Sequence, residues 1–121
     1  MASETVQESV PILFLWYQNR RKTDLCTELL RSRKVLNAIT EIVFNLLNNP
    51  SISLSKQIKR SFLPYTEELL FLAKKGHHIE KYQLLALNPR GHKLLVKILS
   101  FTLPYLLGIP VDCGTVQIQQ N

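Results

Sequence analysis

The spacing of apolar positions predicts helices along most of this chain. The most regular segment is residues 32–48, where apolar side chains recur every three or four positions, at Val35, Leu36, Ile39, Ile42, Val43, Leu46 and Leu47. We expect Asn48-Asn49-Pro50 to end this helix, because proline cannot donate a helical hydrogen bond and disfavours helical geometry in the residue before it. A shorter helix before it would begin with Thr23 as its cap.

Beyond Pro50 the pattern predicts further helices separated by turns. Ser53 or Ser55 can cap a basic helix, and Pro64 then either kinks that helix or begins a new one. The next helix ends at Gly76, which follows two lysines and is typical of a left-handed cap. The last two helices are predicted over residues 79–87 and from about residue 91 to residue 107.

Length and composition predict one all-α domain, a small bundle of four to five helices. The chain has 121 residues, of which 45% are hydrophobic, enough for a modest core. We divide it into an N-terminal apolar anchor and basic turn (1–22), a helical domain (23–110) and an extended C-terminal tail (111–121).

The apolar C-terminal end must be buried against something. Residues 98–111 carry no formal charge, but they are too few to span a bilayer, and prolines and a glycine interrupt them. Their partner is the protein's own core, another protein or a membrane surface, and the apolar side chains that a bundle this small needs favour the core. The residues proposed for membrane or partner contact are Leu95, Ile98, Leu99, Phe101 and Leu106.

The positive charge is concentrated in the middle of the chain. The formal net charge is +6, from 15 basic and 9 acidic residues, and residues 56–97 hold nine of the basic ones. Lys56, Lys59 and Arg60 have the spacing that places them on one face of a helix. Such a face can bind phosphates, although a solvated helix face has the same pattern. The predicted nucleic-acid contacts are Lys56, Lys59, Arg60, Lys74 and Lys75.

No catalytic residues, metal site or cofactor are predicted. His77 and His78 are adjacent and lack the spacing of a metal site, so a solvated loop explains them. Glu67 and Glu68 begin a helix, where carboxylates stabilise the positive end of the dipole without catalysing anything. The chain shows no nucleophile–base pair and no phosphate loop, so we expect a protein that is not an enzyme.

The N-terminal sequence argues against a homeodomain and against a secreted protein. Residues 16–22 are similar to the core of a homeodomain recognition helix, but that helix comes third in its fold and only fifteen residues precede it here. The apolar stretch before it is flanked by acidic residues and then basic ones, which is the wrong order for a secretory signal. Two distant cysteines, Cys26 and Cys113, favour a reducing compartment. The expected location is intracellular, in a host nucleus or cytoplasm or in a virion, and not secreted.

The order of the segments resembles a family of mobile-element proteins. The segments that carry the resemblance are EIVFNLL (41–47), NPSI (49–52), LSKQ (54–57), Tyr65, LL (69–70), LAKK (72–75), LL (84–85), Gly91, LL (94–95) and PYLL (104–107). This succession is similar to the short helical proteins encoded in Maverick/Polinton elements and the related adintoviruses, over about residues 24–110.

The resemblance implies a virion component or an assembly factor. Such a protein would condense or tether DNA, or disturb a membrane as a minor virion protein. Residues 61–63 dilute the basic helix, and Arg90-Gly91-His92-Lys93 stands where the family has two glycines, which weakens the DNA-condensing role. We therefore expect a viral or transposon-derived accessory protein that contacts other viral or host proteins and nucleic-acid phosphates. A membrane-active protein and a helical adaptor are the alternatives, and a homo-oligomer, DNA and a membrane surface are the candidate partners.

Overall fold

The computed structural model describes residues 3–48 and 54–107, which are helical with no β-strand among them. The helices are α1 (Glu4–Gln18), α2 (Thr23–Leu29), α3 (Arg33–Asn48), α4 (Lys56–Phe62), α5 (Thr66–Leu72), α6 (His78–Tyr82) and α7 (Pro89–Leu106). A 3-10 turn (Leu63–Tyr65) joins α4 to α5, and a π-helical turn (Gln83–Leu87) continues α6. The prediction of an all-α, single-domain bundle is confirmed. The described residues form seven α-helices, more than the four to five that the pattern indicates.

Helices α1, α3 and α7 form the centre of the bundle. Helices α1 and α3 are antiparallel: the Ser3 backbone N–H donates to Glu41 at 3.3 Å, and Glu8, later in α1, pairs with Lys34, earlier in α3. Helix α7 packs against α1 and against the π-helical turn. The largest fully buried apolar side chains come from all of these elements: Val6, Leu13, Trp16, Leu30, Ile39, Leu72, Leu85, Leu94, Leu95, Ile98 and Leu99.

The N-terminal segment, which the sequence pattern sets apart as residues 1–22, packs into this bundle through α1. Val6, Leu13 and Trp16 lie on one face of α1 and are at most 1% exposed. They are three or more residues apart, so the segment is an amphipathic helix rather than a separate anchor. The predicted extended tail, residues 111–121, lies outside the described residues.

The helix ends agree with the sequence in part. Helix α3 occupies almost the whole predicted segment, and the Ser55 hydroxyl caps α4 by accepting from the Ile58 backbone N–H at 3.2 Å. Gly76 has the expected left-handed conformation, with φ of 82°. Thr23 is the first helical residue of α2 rather than its cap, and no side chain caps that helix.

Helix α7 starts at a close contact with the π-helical turn. The Asn88 side chain accepts from the Arg90 backbone N–H at 2.9 Å, and Pro89 occupies the first turn, where a missing N–H costs nothing. Gly91 then lies so close to the turn that a Cβ there would be 1.7 Å from the carbonyl oxygen of Leu84. Only glycine permits this approach, which fixes where the cationic start of α7 lies.

One lysine is buried in the bundle. Lys81 on α6 is 1% exposed, and its ammonium group donates to the Thr40 hydroxyl at 2.5 Å and to the carbonyl oxygen of Lys74, just after α5. Burial lowers the pKa of Lys81. The ammonium group thereby ties α3, α6 and the end of α5 together, a role that no sequence pattern indicates.

Candidate nucleic-acid interface

The described part of the apolar C-terminal segment packs into the core of the bundle. Leu95, Ile98 and Leu99 are fully buried, and Phe101 and Leu106 are partly buried against the same core. Of the five side chains predicted for membrane or partner contact, the three fully buried ones thus lie inside the bundle and not on its surface. Among the described residues, no helix is both long enough and apolar enough to cross a membrane.

The five predicted nucleic-acid contacts do not form one surface. Lys59 lines an apolar cavity between α3, α4 and α5, and its neighbours Lys56 and Arg60 are exposed on the same helix. Lys75 lines a different cavity, which it shares with Glu41 and Phe44. Lys74 is also exposed, but its backbone carbonyl accepts from Lys81. The two groups of lysines thus face different parts of the bundle.

A basic pocket forms instead where the end of α1 meets the first half of α7. This cavity of about 460 Å³ is lined by Arg20, Arg21, Tyr65, His92, Lys93, Val96 and Lys97, and we call it the basic pocket. Its lining, taken from the described residues, includes no carboxylate. The cavity therefore brings together cations from two segments that are distant in the sequence, the end of α1 and the first half of α7.

The geometry of α7 explains why its lysines reach this pocket. Leu94, Leu95 and Ile98 are buried on one face of the helix, which leaves Lys93 and Lys97, four residues apart, on the other. The contact between the rings of Trp16 and His92, with centroids 5.0 Å apart, holds α1 against this part of α7. Arg20 and Arg21 follow α1 directly and so reach the same cavity.

Two tyrosines hold arginines at the edges of the basic pocket. The Arg20 guanidinium lies 4.4 Å from the ring centroid of Tyr17 and donates to that residue's carbonyl oxygen at 2.8 Å. Arg90 lies 4.5 Å from the ring centroid of Tyr65 and pairs with Glu68 at 2.6 Å. Guanidinium groups stacked on aromatic rings are held in place while they keep their charge. The arginines at the edge of the pocket are consequently preorganised.

Most of the pocket's cations have no counter-ion. The ion pairs among the described residues are Arg31–Glu28, Lys34–Glu8 and Arg90–Glu68. None of them involves Arg20, Arg21, Lys93 or Lys97. A polyanion that enters the pocket would not have to displace a carboxylate from these four side chains.

The two adjacent glutamates serve the fold in different ways. Glu67 and Glu68 both lie in the first turn of α5, as the sequence indicates. Only Glu68 is paired, and its hydrogen bond from Arg90 lowers the pKa of its carboxyl group. Glu68 thereby orients the arginine that covers Tyr65.

The histidines are spread over three environments. His78 is hydrogen-bonded to the Asn37 side chain at 2.7 Å, and the ring of His77 lies 5.6 Å from that of Phe71. His92 lies in the basic pocket beside Trp16. No group of three or more potential metal ligands occurs among residues 3–48 and 54–107.

Sequence patterns contain only part of the signal for the basic pocket. The run Arg20-Arg21-Lys22 is visible as a basic turn, and Arg90, Lys93 and Lys97 have the spacing of one helical face. About seventy residues separate the two groups. Only the packing of α1 against α7 brings them together.

Comparison with known proteins yields no relative: no protein-family model, curated protein or solved structure matches this chain.

Proposed function

We propose that this protein is a non-enzymatic accessory protein that binds the phosphate backbone of nucleic acid through the basic pocket. The observation that carries the proposal is the convergence of Arg20, Arg21, Lys93 and Lys97 on one cavity whose lining has no carboxylate among the described residues. Each phosphate that these cations neutralise would release counter-ions from the nucleic acid. Binding would therefore weaken steeply as salt is added.

The chemistry of the pocket favours backbone contacts over base recognition. Tyr65 in the pocket lining and Tyr17 beside Arg20 each have a guanidinium group over one ring face, so that face is not open to a stacked base. Lysine and arginine side chains that reach phosphates carry no sequence information by themselves. We therefore expect similar affinity for duplexes of different sequence.

A second group of cations lines another cavity of the bundle. Arg31 and Arg33 line a cavity of about 330 Å³ with His78 and Tyr82, and they flank the start of α3. The start of α3 lies beside Glu8, ten residues before the end of α1, and this cavity shares no lining residue with the basic pocket.

The cellular context that we propose is the one implied by the resemblance to Maverick/Polinton and adintovirus proteins. A role in a virus-like or transposon particle, as a protein that tethers nucleic acid to other components, agrees with a small basic bundle. The departures from the family pattern matter less for this role than for condensation, because the basic pocket uses α1 and α7 rather than the diluted helix α4. The membrane-active alternative loses support, since the apolar face that it needs is core.

The test compares two variants of equal charge. One carries Arg21→Gln, Lys93→Gln and Lys97→Gln in the basic pocket, and the other carries Lys56→Gln, Lys59→Gln and Arg60→Gln on α4. Each lowers the formal net charge from +6 to +3, because three cations are removed. Binding to a random-sequence DNA duplex is measured at several salt concentrations.

We expect the slope of log K against log salt to fall in magnitude by up to ~3 for the pocket variant, at ~0.9 per lost phosphate contact. The α4 variant should bind much as the wild type does. If both variants bound the duplex equally more weakly than the wild type, net charge alone and not the basic pocket would determine the affinity. Negligible binding of the wild-type protein at low salt would end the proposal.

A further inference from the structure

An apolar groove lies between α3, α4 and α5. It has a volume of about 290 Å³ and is lined by Leu46, Leu47, Leu54, Lys59, Phe62, Leu63, Thr66, Leu69 and Leu70, and we call it the apolar groove. Leu63 and Leu70 are 67% and 55% exposed, although both are large apolar side chains. Exposed apolar side chains of this size that line one groove are typical of a surface that contacts another protein.

The charge around the apolar groove is positive. Lys59 is the one charged side chain in its lining among the described residues, and Lys56 and Arg60 share a helical face with it. Glu67, exposed next to Thr66, offsets one of these three charges. A surface that fits the groove would thus combine apolar side chains with carboxylates.

The outer face of α1 has this composition. Glu4, Glu8, Pro11 and Leu15 are exposed and follow one another at intervals of three or four residues, so they form one stripe, with Ile12 beside it. Ile12 and Leu15 are 38% and 41% exposed. Glu8 also contacts Lys34 of its own chain, but both side chains remain about half exposed. The stripe is acidic at its start and apolar at its end.

We propose that the outer face of α1 docks in the apolar groove of a second copy of this chain. The outer face of α1 and the apolar groove both present apolar side chains, and the glutamates of α1 would lie opposite the cations of the groove. If two grooves faced each other instead, Lys59 of one copy would lie opposite Lys59 of the other. The contact is heterologous, since each copy uses a different surface. Repetition of the contact produces a ring if the rotation closes and a filament if it does not.

This arrangement is independent of the proposed nucleic-acid binding. Neither Leu15 on α1 nor Leu63 at the groove lines the basic pocket. Association is therefore measured on the purified full chain without nucleic acid, by analytical ultracentrifugation over a range of protein concentrations.

The variants Leu15→Arg and Leu63→Arg each remove one of the two surfaces. Both side chains are exposed, so both variants should keep the helical circular dichroism of the wild type. Ile79→Arg is the matched control, because the substitution adds the same charge at a side chain that is 71% exposed and belongs to neither surface. We expect the wild type and the control to associate beyond the 14.0 kDa monomer and each single variant to remain monomeric.

The decisive sample is an equimolar mixture of Leu15→Arg and Leu63→Arg. The first variant keeps its groove and the second keeps its α1 face, so one productive contact is left and the mixture should reach twice the monomer mass. A monomeric mixture overturns the proposal. A monomeric wild type, or a dimer that survives Leu15→Arg alone, also overturns it.

Discussion

Replacement of Gly91 by alanine tests the contact that positions the start of α7. An added Cβ would lie 1.7 Å from the carbonyl oxygen of Leu84, whereas ordinary contacts begin at 3.4 Å, so the two segments must separate by about 1.7 Å (3.4 − 1.7). Overpacking of this kind costs up to ~3 kcal/mol, and the better helix propensity of alanine returns ~1 kcal/mol. We therefore expect the free energy of unfolding to fall by ~2 kcal/mol.

The assay is urea unfolding monitored by circular dichroism. The slope m of the free energy of unfolding against urea concentration should be the same in Gly91→Ala and in the wild type, which shows that they unfold in the same transition. Gly76 provides the control, because a Cβ there meets no atom within 4 Å and only its φ of 82° is unfavourable. Asparagine tolerates this conformation, so Gly76→Asn should unfold close to the wild type, whereas Gly91→Asn should lose as much stability as Gly91→Ala. An unchanged midpoint for Gly91→Ala would refute the close approach of α7 to the π-helical turn.

Two further predictions concern the core. Burial lowers the pKa of Lys81 in the folded protein, so between that lowered pKa and the ordinary 10.5 the unfolded chain binds more protons than the folded one. The free energy of unfolding of the wild type should therefore rise with pH in this window. Relative to Lys81→Met, the rise should be up to ~1.4 kcal/mol per pH unit. Denaturant unfolding of both proteins from neutral to alkaline pH measures this difference, and parallel curves would contradict it. Leu95→Asp should abolish cooperative unfolding, since an unpaired buried charge costs several kcal/mol, while Tyr105→Asp on the same helix, 55% exposed, should change stability by less than ~1 kcal/mol. A cooperative transition in Leu95→Asp would place that side chain outside the core.

The helices themselves could be predicted well from local patterns. The apolar spacing of residues 32–48 indicates α3, the hydroxyl of Ser55 indicates the start of α4, and Gly76 indicates a left-handed turn. Each of these signals acts within one or two helical turns of the chain. The boundaries of α7 and the all-α class were accessible for the same reason.

The arrangement of the helices could not be predicted in the same way. The stretch before Arg20 has the composition of an anchor, and only its packing against α3 and α7 makes it a core helix. The burial of Lys81 depends on partners from α3 and α5 and leaves no trace in the spacing of residues. The basic pocket likewise depends on a contact between the two ends of the described chain.

The phosphate binding proposed above and the membrane alternative use opposite faces of α7. Leu94, Leu95 and Ile98 build the core on one face, while Lys93 and Lys97 reach the basic pocket on the other. Insertion of the apolar face into a membrane would remove the largest side-chain layer of the core and dismantle the bundle that presents the cations. A phosphate contact needs no such rearrangement, because its cations are exposed or partly exposed already. The proposed polyanion binding is thus compatible with the folded bundle, whereas insertion of the apolar face of α7 is not.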